Sequence, residues 1–233
     1  VPASRPVLRD HLFDPSGGLV YHLRAARHRH GLWAPFHAQV ATWLADWQAD
    51  RRELVIIGPN AGYALPAGFL ARFESVVALE PDPLARWLLA RRPDAARLRF
   101  DRLDCLSTPD GLARLAERYP HATILFSNVL GQVSAPVDSW AALLSRHLTS
   151  HAWASYHDVI STDARPSRID GCTVTSPESL DATLARFWTG RHITVVDHET
   201  FRLSGSGACR YAPWQITRKR WQLVEWAENP LQA

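Results

Sequence analysis

The stretch at residues 53–80, ELVIIGPNAGYALPAGFLARFESVVALE, reads as a strand, a glycine-bearing turn, a short helix, a second strand and a terminal acid. Residues 54–57 are an unbroken apolar run, the pattern of a strand covered on both faces in a parallel sheet. Gly58 and Gly62 bracket Pro59, Asn60 and Ala61, and Pro66 suits the first turn of a helix whose N-terminal amides would face that turn. Residues 75–79 predict the next strand, and Glu80 stands at its C-terminal end. In a βαβ unit the turn and the acid both fall on the carboxyl edge of the sheet, where open α/β folds bind ligands. Taken alone, the two glycines are equally well explained by a tight turn with no ligand.

Working outward, strand and helix signals alternate. Asp82 and Pro83 open a helix, Thr108 and Pro109 a second, Ser134 and Pro136 a third that runs to Leu148, and Ser176, Pro177 and Glu178 a fourth. Between them lie predicted strands at 97–103, 122–126, 151–157 and 192–196. No helix signal separates the last of these from residues 215–226, so that final strand should pair antiparallel with residues 192–196. The fold expected is α/β, a doubly wound and mostly parallel seven-stranded sheet with an antiparallel last strand. Ahead of it, residues 1–50 divide into an extended arm at 1–16 and a cap of two helices at 19–30 and 35–47, with residues 51–233 forming the main domain.

Gly58, Gly62 and Glu80 give this region a resemblance to the class I (Rossmann-like) S-adenosylmethionine-dependent methyltransferases. Their first motif is a strand carrying an acid, then glycines at relative positions 0, +2 and +4; their second is an acid ending the next strand. Asn60 replaces the middle glycine, and asparagine accepts positive φ more readily than most residues. Ile56 stands where the strand acid is usual. A dinucleotide-binding domain would want glycines at 0, +2 and +5, but Tyr63 occupies +5. The antiparallel last strand adds to the likeness, which spans residues 53–229.

The resemblance implies an enzyme that uses S-adenosyl-L-methionine, held by Gly58, Asn60, Gly62 and Glu80. Asp104 would accept the adenine amino group, with Cys105 beside it, although Asp101 competes for that register and a loop cap is an equal account of Asp104. Asn128 ends the fourth strand in ILFSNVLGQ and would face the reacting methyl. His157 and Asp158 would supply a general base, and Tyr156 a pocket wall; neighbouring strand residues point to opposite faces, so at most one of the three is expected to face the pocket. A structural role for His157 is the competing account. From the cap, Tyr21, His22 and Trp33 are candidate substrate-pocket residues, against the plainer reading that helix-spaced aromatics are core. The Asn-Pro-Pro-aromatic and Pro-Cys motifs of adenine, glutamine and cytosine methylation are absent from residues 127–132, so neither chemistry is supported; walls such as Trp33 and Tyr21, without a basic groove, suit a small or partly apolar acceptor better than a nucleic-acid strand. Because Ile56 removes the strand acid, a methyltransferase-like binding or regulatory module without turnover is the alternative, and a nicotinamide-dependent oxidoreductase comes third.

Composition bounds the rest. The 233 residues are 46% hydrophobic with a net charge of +3, and Lys219 is the single lysine among scattered arginines. Such arginine bias fits a GC-rich, bacterial genome and does not form the basic stripe of a nucleic-acid surface. Cys105, Cys172 and Cys209 have no CxxC spacing, which predicts no disulfide framework and a reducing cytoplasm. His28 and His30 would point to different helix faces, so no metal site is expected with His37. No apolar run of membrane-spanning length and no signal peptide is visible, and the absence of methionine suggests that the first positions are not the natural start.

Overall fold

The computed structural model describes residues 18–49, 52–190, 192–203 and 207–229, and the expected arm at 1–16 lies outside them. Its centre is five parallel strands, β1 (Glu53–Ile57), β2 (Ser75–Leu79), β3 (Leu98–Asp101), β4 (Thr123–Ser127) and β5 (Trp153–Thr162), in the spatial order β3-β2-β1-β4-β5. Chain winding reverses between β1 and β4, which places the residues following those strands, Gly58 and Asn128, at the topological switch point. Four further strands follow, β6 (Cys172–Val174), β7 (Val196–Asp197), β8 (Cys209–Thr217) and β9 (Arg220–Asn229). β9 lies antiparallel between β5 and β8, β6 borders β8, and β7 pairs with β5.

Period-two alternation assigns the two faces. Leu54, Ile56, Val76, Ala78 and Leu125 pack against Phe36, Val40, Trp43 and Leu44 of α2 (Ala34–Asp46). Their neighbours Val55, Ile57, Val77, Leu79 and Phe126 face Leu112 and Leu115 of α4 (Gly111–Arg118) and Trp140 and Leu143 of α5 (Trp140–His147). The remaining helices are α1 (Gly18–His28), α3 (Pro83–Leu89) and α6 (Leu180–Phe187). Asp82 caps α3 by accepting the Leu84 amide at 2.8 Å, and Ser179 caps α6. The leading helices are tied to the far end of the chain. Trp33 Nε1 donates to the Ile216 carbonyl at 3.0 Å, and Phe36 stacks on Trp214 at 4.4 Å, a pair contributing about 0.5–1.5 kcal/mol beyond its buried area.

Three expectations need correction. The glycine turn does not lead into an α-helix: residues 58–74 are turns and one 3-10 turn at Leu70–Arg72, because Gly68 takes φ 77° two residues after Pro66 and breaks the helical path. Residues 192–196 do not form a sixth central strand but contribute only to the short β7 on β5. Residues 215–226 are not one strand; they contain the reversal at Arg218 and Lys219 between β8 and β9, so the antiparallel neighbours of β9 are β5 and β8 and the sheet has nine strands among the described residues. The facial alternation does follow the sequence: Trp221 and Leu223 join one cluster, Val224 and Trp226 another.

Candidate active site

The turn after β1 has the conformation its residues suggest. Gly58, Asn60 and Gly62 have φ of 65°, 53° and 71°. A Cβ on Gly58 would lie 3.1 Å from Val129 Cβ, so glycine is needed there for space as well as for backbone angle. The turn is latched to β2: Asn60 N donates to Glu80 Oε2 at 2.6 Å, and Asp82 N to Oε1 at 2.9 Å. Burial pushes the Glu80 carboxyl up to about 7, against the pull of those two amides. The α1 helix closes over the same strand end. His22 bridges Asp82 Oδ2 at 2.9 Å and Tyr63 OH at 2.8 Å, and Gly18 N also donates to Asp82.

On the other side of the switch point, Asn128 takes φ 54° and its amide bonds to the Tyr156 carbonyl at 2.8 Å. A narrow space of about 40 Å³ lies over the turn, bounded by Gly58, Asn60, Tyr63, Asn128 and Tyr156 among others. It shares Tyr21, Asn128, Gln132 and Trp214 with a cavity of about 470 Å³ whose walls include Trp33, Asp158, Ser161 and Gln222. Asp158 lies past Tyr156, the last β5 residue paired with β4, and beside a bulge at Val159 where β5 shifts register against β9. Its carboxyl is only 1% exposed, and burial pushes it up to about 7 despite the Asn128, Gln132 and Gln222 amides and the charge of Arg220. Gln222 Nε2 donates to Asp158 Oδ2 at 2.6 Å. Asp158 Oδ1, Asn128 Oδ1, Gln222 Oε1 and Trp214 Nε1 are buried without a hydrogen-bond partner. Each costs about 1–3 kcal/mol while it lacks a partner, so a ligand that brings complementary groups here has polar contacts to gain.

Tyr156 and Asp158 therefore both face this region, one more residue than expected, because alternation puts them on the same side of β5. Tyr156 OH lies 2.5 Å from Ser127 Oγ, and burial holds its hydroxyl proton up to about 12. His157 points the other way. It is fully buried between Ser155 Oγ (2.9 Å) and the Thr200 carbonyl (3.0 Å), with Glu225 at 3.6 Å, and burial lowers its pKa to about 4. Its place is structural, not that of a base. His22 likewise serves as a tie between α1 and Asp82, while Tyr21 and Trp33 do line the cavity. Asp104 Oδ1 accepts the Leu106 and Ser107 amides, the loop-cap arrangement, and Cys105 is core with its thiol pushed up by burial.

The sequence reading missed Gly131, Gln132, Trp214 and Gln222. A Cβ on Gly131 would fall 2.2 Å from the Asp158 carbonyl oxygen, so the turn bearing Gln132 rests directly on β5. Gly131 and Gln132 follow Asn128 closely, and that Gly-Gln pair was the available signal; Trp214 and Gln222 gave none, since only strand pairing brings them here. Among the described residues no three histidines, cysteines or acids come together as a metal site, and no helix is long and apolar enough to cross a membrane.

No family profile matches the chain, and no curated protein matches it. Similar solved structures include DhpI in complex with S-adenosylhomocysteine, at 15% identity and TM-score 0.43, covering 88% of this chain and 92% of that one. The N-terminal domain of EvdMO1 with S-adenosylhomocysteine bound is similar at 14% identity and TM-score 0.45, over 82% and 79%. A SAM-dependent methyltransferase from Thiobacillus denitrificans in complex with S-adenosyl-L-homocysteine is similar at 13% identity and TM-score 0.41; the match covers 65% of this chain and 57% of that one.

Proposed function

We propose that this chain is an S-adenosylmethionine-dependent methyltransferase acting on a small-molecule acceptor. The observation that carries the proposal is the buried Asp158 carboxyl facing a cavity that shares four walls with the space over the Gly58–Asn60 turn. The residues that would meet the cofactor are the left-handed turn at Gly58, Asn60 and Gly62 and the buried carboxyl of Glu80 latched to it. In this reading Gly58, Asn60, Gly62 and Glu80 hold the cofactor. Bound there, it supplies a sulfonium methyl that an acceptor oxygen or nitrogen displaces from sulfur. Asp158 Oδ1 takes the acceptor's proton; a carboxyl near 7 is partly ionised at neutral pH and matched to that task. Asn128 orients the acceptor, and Tyr21, Trp33 and Trp214 exclude water. A volume of about 470 Å³ is that of a small-molecule site. The three free cysteines accord with a reducing, cytoplasmic setting.

Calorimetry with S-adenosylhomocysteine and NAD tests the cofactor, and tight NAD binding alone would overturn the proposal. Asn128→Ala should keep cofactor affinity and lower methyl transfer to an acceptor found by screening; equal loss of both would make Asn128 a cofactor or folding residue. A second reading, binding without turnover, is favoured by one observation: fully buried Ile56 leaves β1 without its usual carboxylate. Single-turnover transfer of a labelled methyl separates the two.

A further inference from the structure

We infer that the acceptor is a small anion, a hydroxyl- or amino-bearing molecule whose carboxylate or phosphate sits between Arg24 and Arg220 while its nucleophile reaches Asp158. The inference rests on the methyltransferase reading for the chemistry at the floor, but its electrostatics stand on the cavity alone. Two kinds of polar group line the cavity. At the floor, Asp158 Oδ1, Asn128 Oδ1 and Gln222 Oε1 lack hydrogen-bond donors, so the ligand must bring donors to them. Turning either amide over leaves Oδ1 of the ionised Asp158 an acceptor. A hydroxyl or amine meets this need; an ester or hydrocarbon does not.

The other charged groups of the lining are basic. Arg24, half-buried on α1, and Arg220, exposed at the start of β9, both border the cavity, and among the described residues neither is in a salt bridge. Asp158 is the single acid in the lining. Desolvation, and after it the charges of Arg27, Arg218 and Arg24, lower the proton affinity of His28, so the positive field extends beyond the lining. His198, whose Nε2 lies 2.8 Å from Ser161 Oγ, adds a neutral polar wall. Two guanidinium forks on one cavity match the planar or tetrahedral oxygens of a carboxylate or phosphate, and they disfavour a cationic ligand. A ligand held this way is fixed at two points, which orients its nucleophile at the floor.

The test uses the full chain, with and without S-adenosylhomocysteine, and reads the tryptophan fluorescence of the cavity walls. Matched probes are 4-hydroxybenzoate against 4-hydroxybenzamide and 3-hydroxybutyrate against 3-hydroxybutyramide, with phenyl phosphate against phenol as the phosphate arm. At least one anion should bind about tenfold or more tightly than its neutral partner, the scale of a charge-assisted hydrogen bond. Which arm binds distinguishes carboxylate from phosphate. In the Arg24→Gln/Arg220→Gln double variant that preference should fall to parity, with Tm and S-adenosylhomocysteine affinity unchanged. The inference is overturned if no anion outbinds its neutral partner, or if the preference survives in the folded double variant. Anion preference without any S-adenosylhomocysteine binding would instead sink the methyltransferase reading and leave the anion site standing.

Discussion

Asp158→Asn should make the folded protein more stable at pH 8 while abolishing turnover. Unfolded, the carboxyl gives up its proton near the ordinary 3.8; folded, burial makes it keep the proton until about 7. Between those values the native state binds more protons than the unfolded state, so this group's contribution falls as pH rises and levels off above about 7. At 1.36 kcal/mol per pKa unit, the difference caps the cost of the ionised side chain at about 4 kcal/mol. Solvent in the cavity reduces it, and a gain of about 1–4 kcal/mol is expected on neutralisation. Asparagine can still accept the Gln222 hydrogen bond through its carbonyl oxygen. Urea unfolding of both proteins at pH 4, 5.5 and 8 makes the measurement. The advantage of the variant should grow from pH 4 to pH 7 and then stay level. An advantage equal at pH 4 and pH 8, or none at pH 8, would refute the claim that Asp158 is a destabilised acid. Full methyl transfer by the variant would refute its role as base.

Glu80→Ala should weaken S-adenosylhomocysteine binding by about 1–3 kcal/mol in calorimetry, the scale for losing hydrogen bonds to a carboxylate, and an unchanged Kd would remove Glu80 from the site. Gly131→Ala should cost about 1–3 kcal/mol of stability, since its Cβ meets the Asp158 backbone oxygen at 2.2 Å and neither strand nor turn yields cheaply; a wild-type Tm would show that the Leu130–Gln132 turn does not bear on β5.

The centre of the sheet was legible because β1, β2 and β4 are buried on both faces and therefore read as apolar runs. The left-handed turn was legible through Gly58, Asn60 and Gly62, whose backbone freedom is local. The crossover after that turn was misread because the helix-starting Pro66 is followed by Gly68, whose φ of 77° ends the helical path, and Arg92 takes up the Gly62, Leu65 and Pro66 carbonyls instead. The β8–β9 hairpin was missed because its reversal falls at Arg218 and Lys219, with no glycine, proline or asparagine to mark it. The cavity shares that fate. Asn128 and Asp158 end predicted strands and could be placed on the sheet's edge, but Trp214, Arg220 and Gln222 reach it only through the pairing of β9 with β5, which no local pattern encodes. Alternation on β5 allowed one of His157 and Asp158 to face the cavity without saying which; the bulge at Val159 and the Thr200 contacts decide it.

The tie from Trp33 to Ile216 bears on the order in which the protein can be built during synthesis. A ribosome releases the leading helices first, yet the surface that Trp33 and Phe36 cover belongs to a hairpin translated some 180 residues later. Until then the edge of β5 opposite β4 lacks β9, and the aromatic side chains of α2 have no partner on that side. Such nascent surface invites chaperone capture or self-association. Emergence of β9 relieves both exposures at once, since it fills the β5 edge and brings Trp214 beneath Phe36. The cavity consequently forms only once β9 is in place, and a chain stalled before Arg220 has the glycine turn but no chamber for an acceptor.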